Sequence, residues 1–143
     1  IKDSSGVWDN TRAMIDEFAS GGFDVFPGSE LPLSQALAIG GVGCISATAN
    51  INPAAIHAVY AEFKANGVSP KLAELQAKID AVRKVIQAHS MIPVMKRVAA
   101  EFSGQSEWST VRPPLVKTDE ALAQTILSQL QTVGFDMPNF PKV

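Results

Sequence analysis

Within the first 46 residues, short apolar runs alternate with helical patterns, and this alternation limits the possible folds more than any other feature. A strand end at Ile1 and Lys2 leads into a loop over residues 3–7 and a helix over about residues 9–19, with Met14, Ile15 and Phe18 on one face. Gly21 and Gly22 stop that helix, and Phe23 to Phe26 forms a short strand. After the loop Pro27, Gly28, Ser29 and Glu30, a second helix over about residues 31–39 ends at Gly40, Gly41 and Gly43. Residues 42–46 then form a buried strand with Cys44 and Ile45 in the core, a run too short for a helix. Strand, helix, strand, helix, strand predicts a parallel sheet. Three short strands cannot cover both faces and both edges of such a sheet. The chain is therefore expected to begin inside an element and to pack against another polypeptide segment that supplies about five strands.

The rest of the sequence is helical. Asn52 and Pro53 form a helix start, followed by Ile56, Val59, Tyr60 and Phe63 on one face as far as Gly67. Ser69 and Pro70 repeat the device. Leu72, Leu75, Ile79, Val82 and Ile86 then step by three and four, the clearest amphipathic helix in the chain. Helices over about residues 91–102 and 119–133 follow, the last with Leu122, Ile126, Leu127 and Leu130 inward, then Gly134 and a proline-rich tail. The organisation predicted is an α/β part over residues 1–67 and a helical extension over residues 68–143.

Composition excludes several functions. A net charge of −2 lacks the clustered Lys and Arg that phosphate neutralisation needs, so no nucleic-acid partner is expected. The single cysteine, Cys44, rules out an internal disulfide and fits a reducing compartment, and no secretory leader is visible; the cytoplasm is the expected location. Residues 31–61 contain no charged side chain, yet Pro32, Asn50, Asn52, Pro53 and several glycines interrupt them, so no membrane span is expected. His57 and His89 lie 32 residues apart with no ligand-spaced partner, and no metal site is expected. Gly40, Gly41, Val42 and Gly43 precede a strand, where a dinucleotide fingerprint follows one; they predict a tight helix-to-strand connection. No Gly-x-Ser-x-Gly elbow exists.

Lys2 is the candidate nucleophile. A lysine at the carboxyl end of a parallel strand faces the crevice where such sheets bind ligands. In an apolar pocket its ammonium loses hydration, which favours the neutral amine that attacks carbonyl carbon. Taken alone, the residue reads as an exposed, solvated lysine, as most lysines are.

The strings I-K-D-S-S-G, F-P-G-S-E and G-G-V-G-C-I-S-A-T-A-N-I-N-P resemble, in order and separation, the sixth, seventh and eighth strand ends of the dihydrodipicolinate synthase and N-acetylneuraminate lyase family of pyruvate-dependent aldolases. V-R-P-P-L at residues 111–115 is similar to that family's C-terminal helical extension. The resemblance covers the whole chain but only the latter half of a family member. It implies the last three strands of a (β/α)8 TIM barrel plus a helical domain, and an activity that condenses pyruvate with a small aldehyde through a lysine enamine. Dihydrodipicolinate synthase, an enzyme of lysine biosynthesis, is the first expectation; a 2-keto-3-deoxy sugar acid aldolase and an N-acetylneuraminate lyase-like enzyme are the alternatives.

The resemblance also implies roles. Lys2 matches the Schiff-base lysine, and no cofactor beyond the covalent pyruvate imine is implied. Ser4 matches a position that faces the sugar-like part of the substrate in sialic acid lyases. Gly28, Ser29 and Glu30 match the loop that shapes the aldehyde pocket, and Ile45 and Ser46 line the pyruvate side. Glu30 reads either as a polar contact to substrate or as a loop carboxylate in water. Ala47 and Ala49 stand where sialic acid lyases carry a hydroxyl and an aromatic residue, which speaks against that substrate. The threonine-rich carboxylate loop and the proton-shuttling tyrosine fall on strands outside this sequence, so the chain alone is expected to be inactive. Tyr60, on a helix, is no substitute. Family members are commonly oligomers, often tetramers. The remaining alternative is a barrel remnant that only supports a helical interaction module after residue 68.

Overall fold

The computed structural model describes residues 1–138 and divides into two compact units, one spanning Ile1–Asp80 and the other beginning at Ala81. In the first unit, β1 (Lys2–Asp3) and β2 (Phe26–Pro27) form a parallel pair with Lys2 opposite Phe26 and Asp3 opposite Pro27. Helix α1 (Trp8–Phe18) and a 3₁₀ turn at Ala19–Gly21 connect them. Helix α2 (Leu33–Ala38), a 3₁₀ turn at Ala47–Asn50 and α3 (Pro53–Asn66) follow, and α4 (Pro70–Gln87) begins in this unit. The predicted division at residue 67 keeps α4 whole, whereas the two compact units part within it.

The expected third strand does not form. Residues 42–46 run beside β2, with the Val42 N–H donating to Val25 O at 3.3 Å and the Ile45 N–H to Pro27 O at 3.0 Å, but no ladder is made. Gly43 explains the break: its φ of 156° departs from strand geometry between those two bonds. Ile45, expected in the core, is 47% exposed, while Cys44 packs half-buried against the helices. Strand β2 likewise starts later than predicted. Phe23 lies before it, exposed, its ring edge-on to Phe18 at 6.0 Å. Phe18 is itself exposed, so the buried stripe of α1 is Thr11 and Ile15.

Two apolar clusters hold this unit together. Ile15, Val25 and Ala36 join α1 and α2 beneath the strands, and Leu33, Leu37, Ile56, Val59, Leu72 and Ile79 join α2, α3 and α4. Each fully buried Leu, Ile or Val contributes about 1.5–3 kcal/mol, so these stripes outweigh the exposed i,i+4 pair Arg12–Asp16, worth about 0.3–0.5 kcal/mol. The tight connection after α2 also has a steric basis: a Cβ on Gly41 would stand 2.8 Å from Ala36 O.

The two predicted helix starts differ. Ser69 caps α4, its Oγ accepting the Leu72 N–H at 3.0 Å. Asn52 makes no side-chain cap bond to α3, which starts on Pro53 alone. Its side chain is buried instead.

In the second unit, α5 (Met91–Ser103) and α6 (Glu120–Thr132) bury Val94, Val98, Ala123, Ile126 and Leu130. Arg97 on α5 donates to Glu101 at 2.8 Å and reaches Glu120 on α6 at 3.3 Å. Glu101 and Glu120 raise the guanidinium pKa. Asp119 caps α6 by accepting the Leu122 N–H at 2.8 Å. Of the proline-rich tail, residues 139–143 lie outside the described residues. Among the described residues, no helix is long and apolar enough to cross a membrane, and no group of His, Cys, Asp and Glu is arranged to hold a metal.

Candidate functional site

Alternation along the strands sorts the predicted residues by face. Asp3 is 6% exposed and receives the Thr11 hydroxyl from α1, and Val25 packs on Ile15 and Ala36. These residues mark the helix side of the sheet. Lys2 and its partner Phe26 therefore lie on the opposite face, where Lys2 is exposed. A Cβ on Gly43 would stand 3.5 Å from the Phe26 ring, which places Gly43 on the same side. Lys2, Phe26 and Gly43 thus share one face.

The carboxyl ends of the strands are stitched together. The Gly28 N–H donates to Asp3 O at 2.6 Å, and only glycine permits that approach: a Cβ would stand 2.7 Å from Asp3 O and 3.0 Å from Ser4 Cα. Ser29 closes the turn by accepting the Leu31 N–H at 3.2 Å. On the far side, the hydroxyls of Ser46 and Thr48 both donate to the Glu30 carboxylate and stand 3.1 Å apart. Glu30 is 1% exposed, so the alternative of a carboxylate in water is overturned; the residue joins two loops. Ser46 is also buried, whereas Ser4 is exposed and Gly28 and Ser29 are half-buried. Every predicted position therefore lies at one end of the sheet, but Glu30 and Ser46 face each other.

Two threonines escaped the sequence reading. Thr11 sits one turn before Ile15 on the buried stripe of α1, and a polar residue in such a stripe signals a buried partner. Thr48 lies in a 3₁₀ turn, where no periodicity marks it.

These contacts shift two titrations. The Asp3 carboxyl is held below the usual carboxylate range, chiefly by the Thr11 hydroxyl. Burial opposes this, and the Ser5 N–H, the Ser5 hydroxyl and the Asn10 amide add to the lowering. A depressed folded-state pKa means that the unfolded chain binds the proton more readily. The stabilisation is then complete above the unfolded value of 3.8 and is lost as pH falls through the lower folded one. Urea midpoints across this acid range are expected to fall less steeply in Asp3→Asn than in the parent; equal slopes would contradict the assignment.

Burial, and then the Glu30 carboxylate, push the Cys44 thiol up to about 11. Alkylation near neutral pH is expected to be slow, and Glu30→Gln should move the pH midpoint of labelling downward, though short of an ordinary thiol because burial persists. An unmoved midpoint would show that the carboxylate charge does not act on the sulfur.

The dihydrodipicolinate synthetase family model matches residues 1–133, and the chain belongs to that family. It is 30% identical over 123 residues to an uncharacterized DapA-like lyase of Chloroflexus aurantiacus, an alignment covering 86% of this chain and 40% of that protein. It is 29% identical to the 4-hydroxy-tetrahydrodipicolinate synthase of Methanoculleus marisnigri, over 94% of this chain and 45% of that one. The crystal structure of the chloride-inhibited dihydrodipicolinate synthase from Acinetobacter baumannii, complexed with pyruvate, superposes with a TM-score of 0.78 at 26% identity, covering 95% of this chain and 45% of that one. The chain thus spans less than half the length of these relatives.

Proposed function

We propose that this chain carries the Schiff-base lysine and the closing strand ends of a pyruvate-dependent aldolase of the 4-hydroxy-tetrahydrodipicolinate synthase type. In this reading, residues 1–67 are the last three strand positions of an eight-stranded β/α barrel and residues 68–143 are its helical extension. The other strands, with the pyruvate carboxylate loop and the proton-shuttling tyrosine, come from polypeptide outside this sequence, and the complete enzyme is an oligomer. The observation that carries the reading is the Lys2–Phe26 register, because it turns the lysine to the face opposite Asp3, on strands whose ends are bonded to Gly28 and Ile45. The synthase name of the Methanoculleus relative and the pyruvate in the Acinetobacter crystal support the substrate class.

The neutral Lys2 Nζ attacks the keto carbon of pyruvate, and the carbinolamine loses water to give an imine. Transfer of a proton from the methyl carbon to the imine nitrogen yields the enamine. Its carbon bonds to the aldehyde carbon while the aldehyde oxygen takes up a proton. Water then cleaves the product imine and restores the amine. No cofactor enters this cycle. The completing strands exclude water from the Lys2 face, and Glu30 frames the pocket instead of touching substrate. Ala47 and Ala49 favour a small aldehyde over a sialic acid.

The test is borohydride reduction in the presence of pyruvate, on protein containing the complementary strands, followed by peptide mass spectrometry. A reduced adduct on Lys2 is expected. A folded, complete protein without an adduct, or with one on another lysine, would overturn the proposal and leave a helical interaction module on a barrel scaffold.

A further inference from the structure

We infer that Gln76 on α4 is a positioning residue for the strand-end loop that shapes the aldehyde side of the site, an inference that rests on the aldolase reading above. Its side chain is buried, and it meets the loop 45 and 46 residues earlier in the chain. Gln76 Nε2 lies 3.0 Å from Glu30 O, 3.1 Å from Leu31 O and 2.7 Å from Asp80 Oδ1, while Oε1 accepts the Ser34 N–H at 3.0 Å. A carboxamide offers two protons, so three acceptors share them, and the group is engaged on both of its sides.

The arrangement answers two local needs. Helix α2 starts after Pro32 with no side-chain cap of its own, and the first N–H groups of any helix lack partners within it. Gln76 Oε1 satisfies one of them, at Ser34. The N–H groups of the same amide hold the carbonyls by which the loop enters the helix. Glu30 is thereby fixed twice, its carbonyl by Gln76 and its carboxylate by Ser46 and Thr48. At the other end of the loop, Gly28 is bonded to Asp3. Gly28 and Ser29 lie between these anchors, and in the aldolase reading they face the incoming aldehyde.

Position favours a specific role over generic packing. Gln76 falls on the stripe of Leu72 and Ile79, where an apolar residue would pack without needing any partner. A buried amide there stabilises only when all its bonds are made, and what it adds is a defined loop geometry.

The test uses protein with its barrel complete. Gln76→Met keeps the length of the side chain and removes its polar atoms. The KM for the aldehyde is expected to rise at least about fivefold, while the rate of borohydride trapping of pyruvate at Lys2 stays within about twofold. Should that variant fail to fold, Gln76→Glu keeps the acceptor for Ser34, loses the donors to the carbonyls and is read by the same split. Hydrogen exchange at the Ser34 amide of the parent provides a third reading, protection being expected. An unmoved KM in a folded variant, a parallel loss of trapping, or an unprotected Ser34 amide would overturn the inference while an adduct on the parent's Lys2 left the aldolase reading intact. No adduct on the parent would sink both.

Discussion

Lys2→Ala is expected to abolish the borohydride-trapped adduct and to lower aldol turnover of the complete enzyme by at least about three orders of magnitude, because the amine that forms the imine is lost. Lys2→Arg should do the same, since a guanidinium does not form the imine. Neither change should unfold the chain. Lys2 lies outside the apolar clusters that hold this unit together, so a change there is expected to leave the unfolding midpoint nearly unmoved. That separation makes the result interpretable. Steady-state kinetics and urea denaturation on the same preparations would show kcat collapsing with the unfolding midpoint unmoved. Retention of a tenth or more of the parent rate in Lys2→Ala would exclude the imine mechanism at this residue.

Removing the Ser46 and Thr48 hydroxyls together, as Ser46→Ala with Thr48→Val, is expected to destabilise the chain by about 3–5 kcal/mol, because it takes two donors from a carboxylate that is 1% exposed. That is a large part of the stability of a typical domain. Adding Glu30→Met to the pair should recover most of the loss, since an apolar side chain of similar length needs no donor there. The full set of variants, compared by chemical denaturation, separates a buried carboxylate deprived of its donors from simple loss of packing. A double variant within about 1 kcal/mol of the parent would mean that the hydroxyls do not hold Glu30.

Local pattern was a good guide where neighbours along the chain decide the outcome. The stripe of Leu72, Ile79, Val82 and Ile86 is buried as the spacing implies, and Ser69 caps α4 through a bond of three residues' span. Pattern failed where remote contacts decide. Residues 42–46 have strand composition, but Gly43 breaks the ladder and Ile45 faces outward. Asn52 has the composition of a cap but is buried without acting as one. The strings I-K-D-S-S-G and F-P-G-S-E mark two strands that pair, whereas the pairing of Glu30 with Ser46 and Thr48 is not legible in them. Nothing in a single glutamate reveals hydroxyls 16 and 18 residues away. Gln76 did leave a trace, as a polar side chain on an otherwise apolar stripe.

The reach of Gln76 also orders events during biosynthesis. The turn containing Glu30 leaves the ribosome well before the amide that holds its carbonyl, 46 residues later. Until that length of chain has been translated, the nascent turn lacks the amide that fastens the Glu30 and Leu31 carbonyls. Its final shape is thus completed late, after α4 has docked and closed the core that Leu72 and Ile79 share with α2 and α3.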